Sequence, residues 1–425
     1  MSRRQPARTT ASKSPTFFRR HILAALSTGP CLLAACSRQD GQSEGASVSA
    51  GGGAAAGRPP IAIGAVVSTT GAGGTAGQYQ AQAYQLWEAQ VNARGGLLGR
   101  PVKLVLYDDG SDPVAAARQY QQLIDQDKVD LVLGPYANSA TQAASTVTEK
   151  AHYPMLAAGG NASDIWKRNY RYLFGVFPPV ERYFDGVIDL AVQQGYRTLA
   201  LLAENTIFPQ QTAAAAAAYA KAKGLQLVYQ EKYPTGAGDL SAPLRKIKEL
   251  GPDVLLGASY QPDSILITRQ AKELGLSPRL LAFSVGAQAE DFEQALGADA
   301  AYVCAPSIWE PPLGTPGSQE FVEAFQKRWG REPDFHAATG YAAAQILEAA
   351  VKQARTVDRD RLRDTLAALE TATILPGRYK VDESGLQIGG FTIVLQWQGG
   401  KKAIIWPESL ASGKAKLPMP DWNAR

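Results

Sequence analysis

The fold is decided by the stretch Ile61-Ala62-Ile63-Gly64-Ala65-Val66-Val67 and the loop that follows it, Ser68-Thr69-Thr70-Gly71-Ala72-Gly73-Gly74-Thr75-Ala76-Gly77. The first part is apolar and rich in β-branched residues, which is typical of a strand buried on both faces. The loop is too rich in glycine to stay extended, and a helical pattern follows it until Gly95-Gly96. Because Val102–Tyr107 reads as the next strand, the chain opens as a β-α-β unit of a parallel sheet. Such a loop lets a ligand approach exposed backbone N–H groups.

The same alternation of short apolar strands and amphipathic helices continues through the chain. It includes the apolar runs Val254–Ala258 and Leu280–Phe283 and an alanine-rich helix predicted over Thr212–Lys223. A body of roughly 360 residues is too long for one hydrophobic core, so we expect two α/β lobes of like architecture.

The C-terminal third is predicted to return to both lobes. Phe321–Trp329 and Phe335–Gln353 read as helices that complete the first lobe. Arg378–Val381 and Thr392–Trp397 read as antiparallel strands that finish the second.

The N-terminal residues have the pattern of an export signal. Residues 1–20 carry six basic side chains and no acid, and the apolar segment Ile22–Ala35 is too short and interrupted to span a bilayer. It ends in Leu33-Ala34-Ala35-Cys36, which resembles a bacterial lipobox. We therefore expect a signal peptide at 1–35, lipidation of Cys36, a flexible tether over 36–60 and a lipid-anchored periplasmic protein. The alternative is a plain signal peptide in which Cys36 is incidental.

Charge and cysteine content exclude several classes of function. The full chain is formally +4, but without residues 1–35 it has 37 basic and 39 acidic residues, which does not favour nucleic-acid binding. Cys304 lies in an apolar run and reads as a small buried hydrophobe. Asp108, Asp109 and Asp112 are expected to cap turns, since the run lacks the further ligands of a calcium loop. No metal, cofactor or catalytic residue is predicted.

From Ile61 to Pro407 the chain resembles the leucine/isoleucine/valine-binding family, the type I periplasmic solute-binding proteins of ATP-driven importers. The matching pieces keep the family's order and spacing and are Thr70-Gly71 through Gly77-Gln78, Asn92-Ala93-Arg94-Gly95-Gly96, Gly99-Arg100, Tyr107-Asp108-Asp109, Asp112-Pro113, Leu133-Gly134-Pro135, Phe174–Pro178, Arg269-Gln270-Ala271, Leu274-Gly275-Leu276 and Arg331-Glu332-Pro333-Asp334.

The resemblance implies two doubly wound parallel-sheet lobes joined by a three-strand hinge. The lobes would comprise 61–176 with 306–375, and 177–305 with 376–420. The three crossovers are placed near Val176–Pro178, Cys304–Pro306 and Leu375–Gly377. The lobes would close over a small molecule without chemistry and deliver it to an ABC permease complex.

The resemblance also implies a set of ligand-binding residues. In the first lobe, Asn138 and Ser139 lie at or beside the family's usual hydroxyl donor. The second donor loop matches Gly159, Gly160 and Asn161, with the backbone N–H groups of Gly159 and Asn161 facing the ligand. Such groups at helix N-termini suit an anionic head.

In the second lobe, the family's aromatic positions correspond to Phe208 and Tyr260, which suit an apolar tail. Where the family often has a carboxylate for the ligand's ammonium, residues 283–288 contain no acid. A buried ammonium without a counter-charge is costly, so an α-amino acid would need Glu204 or Asp263 as a substitute. The sequence otherwise predicts an aliphatic or aromatic carboxylate or an amide.

Two other functions stay open at this point. The same fold can deliver its ligand to a membrane receptor as a sensor. An exported NAD(P)-dependent oxidoreductase would use Gly71–Gly77 as a dinucleotide loop, Asp108 for the ribose, and the Tyr-x-x-x-Lys spacing of Tyr219 and Lys223.

Overall fold

The computed structural model describes residues 58–71, 73–311 and 313–425, which belong to one compact unit. Cys36, the predicted signal peptide and nearly all of the predicted tether lie outside these residues. Within the described ranges, every helix is too short or too polar to cross a membrane.

The first part of the body alternates strands and helices. Its elements are β1 (Ile61–Val66), α1 (Gly74–Ala93), β2 (Val102–Tyr107), α2 (Pro113–Asp125), β3 (Leu131–Val132), α3 (Asn138–Lys150), β4 (Met155–Ala157) and β5 (Leu173–Gly175). β1 lies between β2 and β3 in a parallel three-stranded sheet, the first sheet, and β4 pairs with β5 in parallel. The predicted β-α-β opening is confirmed.

The second part repeats the alternation around a larger sheet. Its elements are α4 (Asp185–Gln193), β6 (Thr198–Glu204), α5 (Ile207–Ala222), β7 (Gln226–Tyr233), α6 (Ser241–Leu250), β8 (Val254–Ala258), α7 (Gln261–Leu274), β9 (Leu280–Phe283), α8 (Glu290–Leu296) and β10 (Cys304–Ser307). These five strands pair in parallel, in the order β10-β9-β8-β6-β7.

The C-terminal part completes both regions. It contains α9 (Ser318–Trp329), α10 (Phe335–Ala354), α11 (Arg359–Ala368), β11 (Ile393–Gln398) and β12 (Lys401–Trp406). β11 and β12 join the larger sheet beside β10 as antiparallel strands, which makes seven strands in all.

Helix α10 packs along α1, far from it in sequence. Trp87 Nε1 donates to Glu348 Oε2 at 2.8 Å, and Arg94 and Lys352 bond the same carboxylate. Burial acts to raise the pKa of Glu348, but the bonds from Lys352, Trp87 and Arg94 outweigh it and lower the pKa. The predicted helices Phe321–Trp329 and Phe335–Gln353 are confirmed, with α9 beginning three residues earlier and α10 ending one residue later.

Two predicted elements need correction. Arg378–Val381 is not a strand: Tyr379 and Val381 make only isolated bridges, and the Tyr379 hydroxyl donates to Leu366 O beneath α11. Helix α5 begins at Ile207 rather than Thr212, because Pro209 falls in the first turn, where a missing N–H costs nothing.

Candidate functional site

A cavity of about 1900 Å³ is lined by loops that follow strands of both sheets. Its polar and aromatic lining includes Tyr79, Tyr136, Asn138, Gly159, Asn161, Phe177, Tyr183, Phe208, Tyr260, Gln288, Glu310 and His336. Ligands of open parallel sheets bind beyond the carboxyl ends of the strands, and this cavity occupies that place.

Several N–H groups of the loop after β1 are bonded within the protein. Asp108 accepts hydrogen bonds from the backbone N of Thr69 (2.9 Å) and Thr70 (3.2 Å), and its second oxygen accepts from Thr70 Oγ1. The N–H of Gly73 donates to Ser111 Oγ at 2.9 Å. These amides are therefore bonded within the protein, and Asp108 holds the loop rather than a ribose.

Asn138 joins the loops that follow β3 and β4. Its Oδ1 accepts from the backbone N of Asn161 at 2.7 Å and of Ala162 at 2.9 Å. The prediction that the N–H of Asn161 faces the ligand is therefore wrong, although Asn138, Gly159 and Asn161 all line the cavity. An added Cβ on Gly159 would lie 2.6 Å from Tyr136 Cα, so only glycine lets the two loops approach this closely.

Ser139 and Gly160 are not among the residues that line the cavity. Ser139 follows Asn138 in α3 and is exposed, because one residue turns the side chain by about 100° around the helix. Gly160 lies against Thr141, whose Oγ1 would be 2.5 Å from an added Cβ. Both stay predictions as ligand-binding residues, and neither lines this cavity.

The opposite wall of the cavity is aromatic. The Phe208 ring lies 5.6 Å from that of Tyr183, edge to face, and 5.8 Å from that of Tyr260. Tyr260 is 43% exposed, whereas Tyr183 is buried. Tyr183 comes five residues after Pro178, the end of the first predicted crossover, a position that is visible in the sequence.

Beside Tyr260, buried polar groups meet at the ends of β6 and β7. Glu204, Tyr233 and Asp263 are 4%, 2% and 8% exposed. Burial and the negative charge of Glu204 raise the pKa of Asp263, and burial raises the pKa of Tyr233 strongly, with both acids adding to it. Within the described ranges, Glu204 Oε2 has no hydrogen-bond partner.

A charged pair and an aromatic pair complete the lining and were not predicted. Lys402 Nζ lies 2.7 Å from Glu310 Oε2, and burial raises the pKa of Glu310 against the opposing charge of Lys402. The Tyr136 ring packs edge to face on His336 at 5.4 Å. Tyr136 follows Gly134-Pro135 directly, so its place at a strand end was visible in the sequence.

The residues proposed for an oxidoreductase are engaged in other contacts. Lys223 Nζ lies 2.6 Å from Asp189 Oδ1, and the Tyr219 hydroxyl donates to the same carboxylate at 3.1 Å. The bond to Asp189 raises the pKa of Lys223, which keeps this lysine protonated. Together with the bonded amides after β1, this removes the support for a dinucleotide site.

Residues 60–402 match the periplasmic binding protein family. The chain belongs to this family. It is 27% identical over 387 residues to Leu/Ile/Val-binding protein homolog 7 of Brucella suis. The match covers 86% of this chain and 96% of that protein. The resemblance inferred from the sequence motifs is confirmed.

Solved structures show the same fold for this periplasmic binding protein. The branched-chain amino acid transporter substrate-binding protein LivJ of Streptococcus pneumoniae, in complex with isoleucine, is 22% identical with a TM-score of 0.66, over 81% of this chain and 97% of that one. A solute-binding protein of an ABC transporter from R. palustris, in complex with benzoate, is 19% identical with a TM-score of 0.65, over 85% and 98%. The predicted fold class, the two-lobed type I periplasmic binding protein fold, is confirmed.

Proposed function

We propose that this protein captures a small solute in the cavity between its two lobes and delivers it unchanged to the permease of an ABC importer. The observation that carries the proposal is the pair of unlike walls. Loops after β3 and β4 bring Asn138 and Gly159 to one wall, and loops after β6 and β8 bring Phe208 and Tyr260 to the other. Sites for small molecules combine apolar walls with a few fixed polar groups in this way.

The solute class is an amino-acid-like molecule or a small carboxylate or amide with an apolar or aromatic body. The Tyr183–Phe208–Tyr260 wall supports this, because aromatic rings bury apolar groups well. The isoleucine and benzoate complexes of two proteins of the same fold also support it.

Capture would involve closure of the lobes about the three crossovers near 176–178, 304–306 and 375–377. The lobe boundaries predicted from the sequence, 61–176 with 306–375 and 177–305 with 376–420, are retained as part of the proposal. The cavity size supports closure: about 1900 Å³ exceeds the roughly 300–1,000 Å³ of ordinary ligand pockets. Hinge closure would reduce it.

The site of action proposed is the periplasm, with a lipid anchor at Cys36. Membership of the periplasmic binding protein family and the basic, apolar, Cys-terminated N-terminal pattern support this. Intact-mass measurement of the protein extracted from membranes tests the anchor. In a second test, we expect the Cys36→Ser variant to be released into the soluble fraction.

The function is tested by a thermal-shift screen of the purified protein against amino acids, aromatic acids, short fatty acids and amides. We expect at least one of these classes to raise Tm, because a ligand that binds only the folded state stabilises it. Small-angle X-ray scattering with that ligand should show a smaller radius of gyration. No stabilisation by any class, or binding without contraction, contradicts solute capture by closure. A nearby pair of permease and ATPase genes would favour transport, and a lone receptor gene would favour sensing.

A further inference from the structure

The loop after β3 and the start of α10 bring two polar rings together in the cavity lining. Tyr136 and His336 both line the cavity, and their rings pack edge to face with centroids 5.4 Å apart. Tyr136 also lies against two glycines. An added Cβ on Gly73 would lie 2.8 Å from its Cε1, and one on Gly159 would lie 2.6 Å from its Cα. Only glycine at these two positions leaves room for the tyrosine, so its place in the lining is fixed by the backbone around it.

Asp334 fixes the orientation of the histidine ring. Its Oδ1 accepts from the backbone N of Ala337 at 3.0 Å, which caps α10, and its Oδ2 lies 2.8 Å from His336 Nδ1. The ring of Phe335 packs on the imidazole with centroids 3.8 Å apart. In a neutral imidazole the nitrogen beside a carboxylate carries the proton, so Nδ1–H donates to Asp334 and Nε2 keeps a lone pair. The remaining polar atom of the ring is therefore a hydrogen-bond acceptor.

The tyrosine supplies a hydrogen-bond donor. Burial raises the pKa of Tyr136, with Asp334 and Tyr260 adding to it, so the hydroxyl keeps its proton. In the part of the chain that the structure describes, neither this hydroxyl nor His336 Nε2 takes part in a hydrogen bond. Polar groups that are largely buried are nearly always bonded, so this donor and acceptor are available to a ligand in the cavity.

The chemistry of the pair favours a hydroxyl group over the other polar groups of a small solute. A carboxylate could accept from Tyr136, but it would meet the lone pair of His336 Nε2 and the negative charge of Asp334. An ether accepts a hydrogen bond but has none to donate, and an ammonium donates but cannot accept. A hydroxyl oxygen does both from a single atom.

We propose that Tyr136 and His336 bind a hydroxyl group on the body of the solute, which donates to His336 Nε2 and accepts from the Tyr136 hydroxyl. This rests on the proposed function and narrows its solute class to hydroxylated molecules. Tyr260 of the aromatic wall lines the same cavity, so the apolar part of the solute can pack there.

The test uses matched probes that differ only in the hydroxyl group, measured by calorimetry on the purified protein at about pH 8, where an ordinary histidine is neutral. The series are benzoate with 3- and 4-hydroxybenzoate, phenylalanine with tyrosine, and pentanoate with 5-hydroxypentanoate. Each hydroxyl probe is also compared with its O-methyl ether, whose oxygen accepts a hydrogen bond but has no proton to donate. We expect the hydroxyl probe of at least one series to bind at least about tenfold more tightly than both its parent and its ether.

Two variants assign that preference to the pair. Tyr136→Phe removes only the hydroxyl, and His336→Phe keeps a ring without nitrogen. Each should weaken binding of the hydroxyl probe about tenfold without lowering the affinity for its parent. Tyr170→Phe and His152→Gln are the matched controls, because these side chains lie outside the cavity lining, and they should change neither affinity. The Tm of each variant without probe shows that it is folded.

The outcomes separate this inference from the proposed function. Parents or ethers that bind as tightly as the hydroxyl probes, or a hydroxyl preference that Tyr136→Phe and His336→Phe leave intact, overturn the hydroxyl site and leave solute capture standing. A ligand found in the wider screen has the same meaning if no hydroxyl probe binds. No binding by any probe of the three series or by the wider screen overturns both.

Discussion

The loops that follow β1, β3 and β4 differ from the ends of β6 and β7 in the larger sheet. After β1, β3 and β4, the side chains of Asp108, Ser111 and Asn138 accept bonds from the loop amides. At the end of β6, Glu204 keeps a buried carboxylate oxygen without a partner, as far as the structure describes the chain. The loop amides of the first region are thus bonded within the chain, whereas the second region keeps a buried carboxylate oxygen without a partner among the described residues.

The largest expected effect is the loss of stability in Asp108→Ala, which tests whether Asp108 holds the loop after β1. The change removes the acceptor for the Thr69 and Thr70 amides and the Thr70 hydroxyl, so we expect the free energy of unfolding to fall by about 2–3 kcal/mol. Urea denaturation followed by circular dichroism measures it. Asp125→Ala, at the exposed end of α2, is the control and should change stability by less than about 0.5 kcal/mol. Equal effects of the two changes would mean that Asp108 does not hold the loop.

A smaller loss of stability is expected for Asn138→Ala, with Ser139→Ala as the matched comparison. Asn138 holds two backbone amides of the facing loop, so its loss should cost about 1–2 kcal/mol of stability and weaken ligand binding. The neighbouring Ser139 is exposed on the same helix, and its loss should cost less than about 0.5 kcal/mol. The measurements are urea denaturation and calorimetry with the ligand from the screen. If Ser139→Ala weakens binding as much as Asn138→Ala, Ser139 binds the ligand as the sequence predicted.

The smallest expected effect is on the pH dependence of stability. On acidification, the contributions of Asp108 and Asp263 to stability should change in opposite directions. For Asp108, burial acts to raise the pKa, but bonds from Thr70, Gly110 and Thr69 outweigh it and lower the pKa below 3.8. Its stabilisation is therefore complete above pH 3.8 and is lost as the pH falls through the lower, folded value. For Asp263 the pKa is raised above 3.8 by burial and Glu204, so its cost to stability at neutral pH disappears as the pH falls towards 3.8.

Asp108→Asn and Asp263→Asn measure that difference. The stability of the wild type relative to Asp108→Asn should decrease on acidification below pH 4, whereas relative to Asp263→Asn it should increase between neutral pH and about pH 4. Urea denaturation of the three proteins across this range checks both slopes. Slopes of the same sign would show that the two walls do not differ electrostatically.

Much of the fold could be predicted because buried parallel strands are continuous apolar runs. Val254–Ala258 and Leu280–Phe283 were predicted residue for residue. Two strands of the same sheet were missed: β10 contains Pro306, and the edge strand β12 begins with two lysines, so neither has that pattern. β12 is recognised as a strand through its pairing with β11, and β10 through its pairing with β9 and β11.

The candidate site was predicted less completely, since its contacts depend on geometry between distant segments. Asn138, Gly159, Phe208 and Tyr260 reach the cavity where the family resemblance placed them. The meeting of Glu204 with Tyr233 depends on the register of β6 against β7, which the sequence does not specify. The resemblance also gave no way to see that Asn138 would bond the amide of Asn161.

The packing of α10 on α1 constrains how the chain can fold during synthesis. Trp87 on α1 has its hydrogen-bond acceptor, Glu348, 261 positions later, so the face of α1 that α10 covers stays exposed until the ribosome has made the last third of the protein. Partly made chains would expose this apolar face and be prone to aggregate or to bind chaperones. The second region, whose five parallel strands are contiguous in sequence, can order first.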